Sequence, residues 1–266
     1  VRAKSRFWNF YNLQSYSRYY SAMPELTHIY YEDDVHKSIA KYYSEKYKLQ
    51  AATTKPKSPY IHISNDTSLN FSGKKIKNNF NKGPFRNRII KYQTEHLLKK
   101  AIGHKEFISQ KILDTTGGLG HDAFLLSLLG HHLTVIEENK GLCILFEEAL
   151  RNLPKEDYFE EAKSKIELLN DNSENYKDRL YKYDTVYVDP MFTTKTRAAR
   201  AGSLALISNY LGDQDDISKS LINGNFKRMA IKRPSGYINE LPIKPDFTIK
   251  GKAIIFDVFL NINNKT

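Results

Sequence analysis

A glycine-rich segment that follows a short apolar run is the strongest constraint on how this chain can fold. Residues 112–124 read ILDTTGGLGHDAF, in which the apolar run ends at Asp114 and a helical pattern begins near His121. Glycines have no Cβ, so the backbone can turn sharply and approach a ligand closely. Strand, glycine turn and helix in this order are typical of nucleoside-cofactor sites in α/β folds. The segment therefore predicts a cofactor turn that includes Gly118 and Gly120.

A second strand-like segment ends in groups suited to holding a nucleobase. Residues 185–192 read TVYVDPMF. The amino group of a base is a poor nucleophile because its lone pair is delocalised into the ring. Asp189 and the carbonyl of Pro190 can accept hydrogen bonds from such an amine and localise that lone pair, and Phe192 can stack on the base. We expect these three residues to be catalytic in methyl transfer from S-adenosylmethionine to an exocyclic nitrogen, without a metal. An ordinary strand-ending turn is the alternative.

The order of predicted elements indicates an α/β fold. Strands are expected at 112–113, 133–136, 166–169, 185–188 and 228–231, and helices at 121–129, 140–152 and near 203–223. This alternation predicts a mostly parallel sheet with helices on both faces. Residues 246–249 and 253–260, joined by the short connection 250–252, suit an antiparallel hairpin. A parallel sheet that closes with such a hairpin is a Rossmann-like, class I methyltransferase fold, whereas nicotinamide dehydrogenases generally keep the whole sheet parallel.

The residues before this pattern predict a small N-terminal α+β unit. An amphipathic helix is expected over 34–47, and short strands over 60–64 and 68–71, followed by a Ser72-Gly73 turn. Helical spacing then continues to Gly103, where a glycine would end the helix. We place an RNA-docking unit at 1–85 and the methyltransferase domain at 86–266.

Polar residues at the ends of the predicted strands suggest how the cofactor is held. Asp114 could attract the cationic methionine part of S-adenosylmethionine but would repel a pyrophosphate. Glu137, after the second strand, can accept hydrogen bonds from both ribose hydroxyls. Asn172 and Ser173 follow the third strand, where the adenine should lie, although a simple turn would also explain them. Asp122, in the first helical turn, is either a ligand contact or a helix cap.

The charge balance favours a polyanionic partner. The chain has 41 Lys+Arg against 30 Asp+Glu, a net charge of +11, which suits nucleic acid or an anionic membrane face. Residues 73–91 contain seven cations and no acid, interleaved with Phe80 and Phe85, a combination that can follow a phosphate backbone and stack on bases. A solvated charged face would look similar. The expected RNA contacts are Lys74, Lys75, Lys77, Arg86, Arg88, Lys195, Arg197, Arg200, Lys232 and Arg233.

Composition narrows the remaining classes. With 266 residues and 40% hydrophobic content, the chain can bury a full core and should not be disordered throughout. No stretch approaches the roughly 18 apolar residues of a membrane span. The single cysteine, Cys143, lies in an apolar helical pattern, so we expect a core residue in a reducing, cytoplasmic compartment. The basic first 24 residues faintly resemble an organelle transit peptide, and a chain that starts at Val1 could be a trimmed product.

Four segments in fixed order carry a family resemblance: DTTGGLGHDAF at 114–124, YVDPMF at 187–192, IKRP at 231–234, and KGK with FDV within 250–258. Over about residues 60–260 the chain resembles the bacterial small-subunit ribosomal RNA guanine-N2 methyltransferase J family. The resemblance implies a class I methyltransferase fold, S-adenosylmethionine as cofactor, no metal, and ribosomal RNA or the small ribosomal subunit as partner. By position it implies cofactor contacts at His121, Asp122, Glu137, Glu138, Asn172, Ser173 and Asp189.

Three rival functions stay open at this point. An amino methyltransferase acting on adenine or cytosine of DNA or RNA would also use an Asp-Pro-x-Phe segment. A nicotinamide-dependent oxidoreductase would explain the glycine turn but neither residues 189–192 nor the charge. A catalytically silent RNA-binding or assembly factor would bind RNA without a cofactor.

Overall fold

Two β-sheets organise the chain in a computed structural model, which describes residues 25–190, 203–212, 215–237 and 241–261. The smaller sheet contains β1 (His28–Tyr31), β2 (Gln50–Ala52), β3 (Tyr60–Ile63), β4 (Ser68–Phe71) and β5 (Lys74–Lys77), in the order β2-β1-β3-β4-β5. β1 is parallel to β2 and β3, and the other pairs are antiparallel. A short 3-10 turn, Asp34–His36, leads into α1 (Lys37–Tyr47). The expected small α+β unit is present, with β1 and β2 added.

The larger sheet has the predicted parallel arrangement. It contains β6 (Lys111–Asp114), β7 (His132–Ile136), β8 (Ile166–Leu169), β9 (Thr185–Val188), β10 (Arg228–Pro234), β11 (Phe247–Lys250) and β12 (Ile254–Leu260). The strand order is β11-β12-β10-β9-β6-β7-β8. The five strands β10, β9, β6, β7 and β8 are parallel to one another, and β12 is antiparallel to both β10 and β11. The mostly parallel sheet that ends in an antiparallel hairpin is therefore confirmed.

Helices cover the large sheet, with three differences from the expected pattern, one of which is a helix over 157–164 that was not expected. They are α2 (Gly83–Ile90), α3 (His96–Ile102), α4 (His121–Leu128), α5 (Lys140–Arg151), α6 (Asp157–Ser164), α7 (Ser203–Leu211) and α8 (Ile217–Leu221). The helical stretch expected near 203–223 is two helices, because Gly212 has a left-handed φ of +66° and its N–H closes the last turn on the Ser208 carbonyl. The stretch before Gly103 is also divided, by a 3-10 turn at Tyr92–Thr94.

Buried apolar residues form three clusters around the sheets. One lies between α4 and the large sheet and contains Phe124 and Phe146. Another joins the small sheet to α5 and α7, and it includes Cys143, which is fully buried as expected. The last cluster packs β9 and β10 against α8 and the 3-10 helix Ser173–Lys182. The large sheet is thus covered on both faces, which leaves its strand ends as the place for polar groups.

A buried carboxylate ties the small unit to the large domain. Glu148 of α5 is 2% exposed. It accepts hydrogen bonds from the hydroxyls of Tyr43, at 2.8 Å, and Thr67, at 2.9 Å, and from the guanidinium of Arg151 at 2.7 Å. Because Tyr43 and Thr67 of the small unit donate to this buried charge of α5, the small unit is held directly against α5. The expected domain boundary after residue 85 falls inside α2, which includes residues on both sides of it. The division of the chain at this point stays a prediction.

Candidate active site

A cavity of about 1080 Å³ opens at the carboxyl ends of the parallel strands. β6 has β7 on one side and β9 on the other, so the strand order reverses at this point, where ligands bind in open α/β sheets. The cavity brings together ten residues expected to act on cofactor or base: Asp114, Gly118, His121, Asp122, Glu137, Glu138, Asn172, Ser173, Asp189 and Pro190. Gly120 is not part of its lining, and Phe192 lies outside the described residues.

The glycine turn forms one wall of this cavity. The N–H of Gly117 donates to the Ile136 carbonyl at 2.9 Å, and a Cβ at Gly117 would lie 2.5 Å from Cγ1 of Val135. Gly118 has a left-handed φ of +55°, and a Cβ there would meet only the Thr116 carbonyl, at 3.8 Å. The turn is therefore closed on the protein side and open toward the cavity, which is the shape that a close-lying ligand requires.

Glu137 is held rigidly at the tip of β7. Its Oε2 accepts the N–H of Gly118 and its Oε1 accepts the N–H of Asn139, each at 2.7 Å. Burial raises the pKa of Glu137, against the lowering effect of these two backbone hydrogen bonds. A carboxylate offers about four acceptor positions, so each oxygen retains one. The arrangement fits the pair of ribose hydroxyls of an adenosyl cofactor.

Asp114 is a buried acid close to the expected position of the methionine part. It is 2% exposed and accepts the Thr116 N–H at 3.0 Å. Burial raises the pKa of Asp114 to about 7, and the nearby charges of Asp122 and Asp189 act in the same direction. A cation in the cavity would favour the ionised carboxylate. Asp114 thus fits a sulfonium or ammonium group better than a phosphate.

The residues after β8 also have structural roles. Asn172 caps the 3-10 helix Ser173–Lys182, since its side chain accepts the Glu174 N–H at 2.8 Å. Its amide also donates to Glu138 at 3.4 Å. The Ser173 hydroxyl donates to the Thr115 carbonyl at 2.6 Å. These contacts orient the cavity edge, and direct contact with a cofactor stays a prediction for Asn172, Ser173 and Glu138.

Asp122 joins four elements at the floor of the cavity. Its Oδ2 accepts from the hydroxyl of Tyr187 and from the ammonium of Lys232, both at 2.7 Å, and its Oδ1 accepts from Arg88 at 3.2 Å. Burial alone would raise the pKa of Asp122, but Lys232 and Arg88 hold it well below its usual range. Asp122 is therefore an ionised connector between α2, α4, β9 and β10, rather than only a helix cap.

Asp189 and Lys232 are neighbours because their strands are in register. Val188 pairs with Ile231, so the next residues of β9 and β10 lie side by side at the strand tips. Nζ of Lys232 is 2.7 Å from Oδ2 of Asp189, and the backbone N–H of Asp189 donates to the Thr116 hydroxyl at 2.7 Å. Burial alone would lower the pKa of Lys232, but the carboxylates of Asp122 and Asp189 raise it above its ordinary value. Lys232 is therefore a permanent cation and hydrogen-bond donor.

His121 connects the glycine turn to the segment that precedes the large sheet. Its ring stacks on Phe85 with centroids 4.1 Å apart, and Nε2 lies 3.1 Å from Oδ1 of Asn78. Burial lowers the pKa of His121 to about 4, so the ring is neutral near pH 7. Asn78 and Phe85 thereby hold the ring of His121, which lines the cavity.

The cations expected to contact RNA occupy different environments. Lys74, Lys75 and Lys77 are exposed on the edge strand β5, where Lys77 pairs with Asp66. The Arg86 guanidinium lies 5.6 Å from the centroid of the Phe159 ring. Lys195, Arg197 and Arg200 lie outside the described residues.

Three other cations of this set are paired with carboxylates of the chain itself. Arg88 donates to Glu95 at 2.8 and 3.0 Å in addition to Asp122. Arg233 donates to both oxygens of Asp257, at 2.5 and 3.2 Å. Lys232 donates to Asp122 and Asp189 inside the cavity. Their contact with phosphates stays a prediction. Their ion pairs are a structural role that the sequence did not suggest.

Sequence reasoning missed two polar residues of the site. Thr116 accepts the Asp189 N–H, and its own N–H donates to Asp114, so it joins the two strand tips. Tyr187 donates to Asp122 although it appeared to be one residue of an apolar strand. The alternation along β9 contained the signal for Tyr187: its neighbours Val186 and Val188 pack on the other face of the sheet.

In the described part of the chain, no group of three or more His, Cys, Asp or Glu side chains could hold a metal ion. Among the helices within the described ranges, none is long and apolar enough to cross a membrane.

Fold and site together define the class. A family model described as "Putative SAM-dependent methyltransferase" matches residues 43–261, and the chain belongs to this family of S-adenosylmethionine-dependent methyltransferases. Its cofactor is accordingly S-adenosylmethionine, and the nicotinamide alternative is set aside. Within the class, the chain is 31% identical over 208 residues to ribosomal RNA small subunit methyltransferase J of Francisella tularensis subsp. novicida, with 75% of this chain and 86% of the relative covered. The protein of the same name from Francisella philomiragia is 27% identical, with coverage of 75% and 87%.

A solved structure supports the fold assignment. The S-adenosylmethionine-dependent methyltransferase from Neisseria gonorrhoeae superposes with a TM-score of 0.66 at 21% identity, covering 88% of this chain and 96% of that one. The predicted Rossmann-like class I fold is confirmed.

Replacing Glu137 by glutamine is expected to weaken the binding of S-adenosylhomocysteine about tenfold, because the amide nitrogen can accept neither a ribose hydroxyl nor the backbone N–H that the replaced oxygen holds. Calorimetric titration measures this affinity. Glu167→Gln is the matched control, because Glu167 lies on the neighbouring strand β8 and outside the cavity lining. This control variant should bind S-adenosylhomocysteine with the affinity of the unmodified protein. Equal affinity in the Glu137 variant would contradict the ribose role.

Proposed function

We propose that this methyltransferase transfers its methyl group to the exocyclic N2 of a guanine in small-subunit ribosomal RNA. The observation that carries the proposal is the Asp189 carboxylate at the tip of β9, beside the glycine turn in one cavity. The Francisella relatives, named as ribosomal RNA small subunit methyltransferases, support the substrate class. Such a substrate would place the protein in a compartment where small ribosomal subunits assemble, for which we propose the cytoplasm.

Asp189 orients the target amine in this proposal. Its Oδ2 is engaged by Lys232, while Oδ1 accepts no hydrogen bond among the described residues. An amine N–H donated to Oδ1, with a second donated to the Pro190 carbonyl, would pull the nitrogen lone pair out of conjugation and fix its direction. As the new C–N bond forms, the surplus proton on nitrogen passes to the Asp189 carboxylate and then to water. Phe192 is proposed to stack on the base.

The other end of the cavity is proposed to hold the cofactor. Glu137 would bind the ribose hydroxyls, Asp114 the cationic methionine part, and the backbone of Gly118 would allow close approach. The bound cofactor supplies an electrophilic methyl group on a sulfonium, whose sulfur keeps the electron pair of the broken S–C bond. The chain therefore needs only to align two reactants and exclude water between them.

The basic edge of the small sheet is the proposed docking surface for RNA. Lys74, Lys75 and Lys77 project from β5, an edge strand next to β4 only, and Ile76 between them is buried. Residues 78–88 follow directly; among them Arg88 lines the cavity, and Asn78 and Phe85 contact His121, which also lines it. RNA bound along β5 would thus be led toward the catalytic cleft.

Mapping the methylated nucleotide tests the proposal. Small-subunit ribosomal RNA from cells that lack the protein, as free RNA and within subunits, is incubated with the purified chain and methyl-labelled S-adenosylmethionine. Chromatography and mass spectrometry of nuclease digests are expected to find the label in N2-methylguanosine at one position. Label in adenosine, cytidine or DNA would replace the guanine proposal by a rival amino methyltransferase. Cofactor binding and RNA binding without any transfer would indicate an assembly factor.

Reversing the charge of Lys74 and Lys75 together is expected to weaken RNA binding about tenfold or more at low salt and to make its salt dependence shallower, because fewer counterions are released. Filter binding across a salt series measures both quantities. Lys41 and Lys48, exposed on and after α1, provide the control pair with the same charge change. Equal losses in both double variants would indicate a general charge effect and contradict a docking surface on β5.

A further inference from the structure

The ammonium of Lys232 has more hydrogen-bond donors than the carboxylates around it use. Nζ donates to Asp122 and to Asp189, each at 2.7 Å. A protonated lysine has three N–H donors. The third has no acceptor within the described ranges, although the side chain lines the cavity and is only 19% exposed. A donor in this position is available to whatever occupies the substrate side of the cleft.

We propose that Lys232 reads the substrate base, by donating its third N–H to the ring nitrogen next to the amine that Asp189 holds. The inference rests on the proposed transfer to a base amine. Lys232 follows Ile231 on β10, the strand beside β9 and on the side away from the glycine turn. It therefore lies on the base side of Asp189, whereas Asp114 and Glu137 lie on the cofactor side.

The chemistry of the pair matches one edge of the base. In guanine, the N2 amine donates and the adjacent N3 accepts. Asp189 and Lys232 present the complementary order, an acceptor next to a donor. Two neighbouring hydrogen bonds of opposite direction fix a base in its plane, which one contact to the amine alone does not. Adenine and cytosine also place an amine next to an unprotonated ring nitrogen, so this pair recognises the edge, and other residues must select guanine.

Asp122 is the positioning residue of this device. It is the second carboxylate that accepts from the Lys232 ammonium, at 2.7 Å, and it is itself fixed by Tyr187 and Arg88. Without Asp122, Lys232 would have one carboxylate, and its ammonium could turn fully toward Asp189. With both carboxylates the ammonium is shared, which leaves Oδ1 of Asp189 for the amine and one N–H for the ring nitrogen.

A base-atom substitution combined with a protein variant tests the contact. The guanine identified by the mapping experiment is replaced, in a synthetic RNA, by 3-deazaguanine, which keeps the amine but has C–H in place of N3. The control RNA contains 7-deazaguanine, which keeps both. For the unmodified protein, 3-deazaguanine is expected to lower kcat/KM at least about tenfold, the effect of one charge-assisted hydrogen bond, and 7-deazaguanine is expected to leave it unchanged.

The Lys232→Met variant completes the cycle. Its kcat/KM on guanine should be lower than that of the unmodified protein. For this variant, replacing guanine by 3-deazaguanine should lower kcat/KM by no more than about twofold, because the protein partner of N3 is already absent. If the loss from the variant and the loss from 3-deazaguanine multiplied in full, another group would contact N3 and the inference would be overturned. Normal activity of the unmodified protein on 3-deazaguanine would also overturn it. If the variant does not fold, the comparison of 3-deazaguanine with 7-deazaguanine in the unmodified protein remains the test, and equal kcat/KM on both RNAs would overturn the inference. Transfer to guanine in the mapping experiment keeps the proposed function intact under either negative result.

Discussion

Replacing Asp189 by alanine is expected to lower kcat/KM for methyl transfer by about 10³-fold or more, while RNA affinity stays nearly unchanged. The carboxylate is the acceptor that orients the amine and takes its proton, so both effects are lost together. The fold should survive, because Lys232 keeps its ion pair with Asp122 and the Asp189 N–H keeps its bond to Thr116. Single-turnover transfer to small-subunit RNA and a separate binding assay measure the two quantities.

Asp184 provides a matched control on the same strand. It precedes β9 at the opposite end, its side chain is 44% exposed against 37% for Asp189, and it too pairs with a lysine, Lys227 at 2.9 Å. Asp184→Asn should retain full transfer. Asp189→Asn keeps the shape and one acceptor, so its activity should fall between that of the unmodified protein and that of the alanine variant. Transfer by Asp189→Ala at the rate of the control would contradict the mechanism.

The architecture could be predicted because it depends on patterns that are local in sequence. β6, β7 and β9 are short apolar runs between helical segments, and both faces of a parallel sheet are buried, so the period and the fold agree. β1 and β2 were missed because they are short: the pairing of β1 with β3, and of β2 with β1, stabilises them more than their own composition does. The 3-10 helix Ser173–Lys182 was missed for a similar reason, since its polar sequence has only Tyr176 and Leu180 as apolar anchors.

The positions of the site residues could be predicted, but their partners could not. Residues at the carboxyl ends of parallel strands meet at one edge, so Asp114, Glu137 and Asp189 could be placed together without coordinates. Lys232 was expected to contact phosphate, which stays a prediction, and the strand register places it next to Asp189, a partner that the sequence did not indicate. Arg233 pairs with Asp257, 24 residues away, because β10 and β12 are neighbours. A basic residue in a sequence gives no indication of a carboxylate that the fold brings to it.

Substituting alanine for Gly120 is expected to destabilise the protein by about 3 to 5 kcal/mol, or to prevent recovery of folded protein. Gly120 begins α4 with a left-handed φ of +75°, and an added Cβ would lie inside the van der Waals radius of the Phe146 ring. Phe146 is fully buried in the cluster with Phe124, so its ring cannot move aside. Both the backbone strain and the steric overlap would arise in the glycine turn, which forms one wall of the cavity.

Gly73 separates these two causes. It has a φ of +74° in the turn between β4 and β5, and a Cβ there would meet nothing within 4 Å. Gly73→Ala should therefore cost only the backbone strain, about 1 kcal/mol. Urea unfolding of both variants measures the difference between them. A difference in stability of about 2 kcal/mol or more would identify packing against Phe146 as the reason why position 120 requires glycine. If the two variants lost similar stability, the Phe146 ring would have to be able to move aside, and this packing would not be the reason.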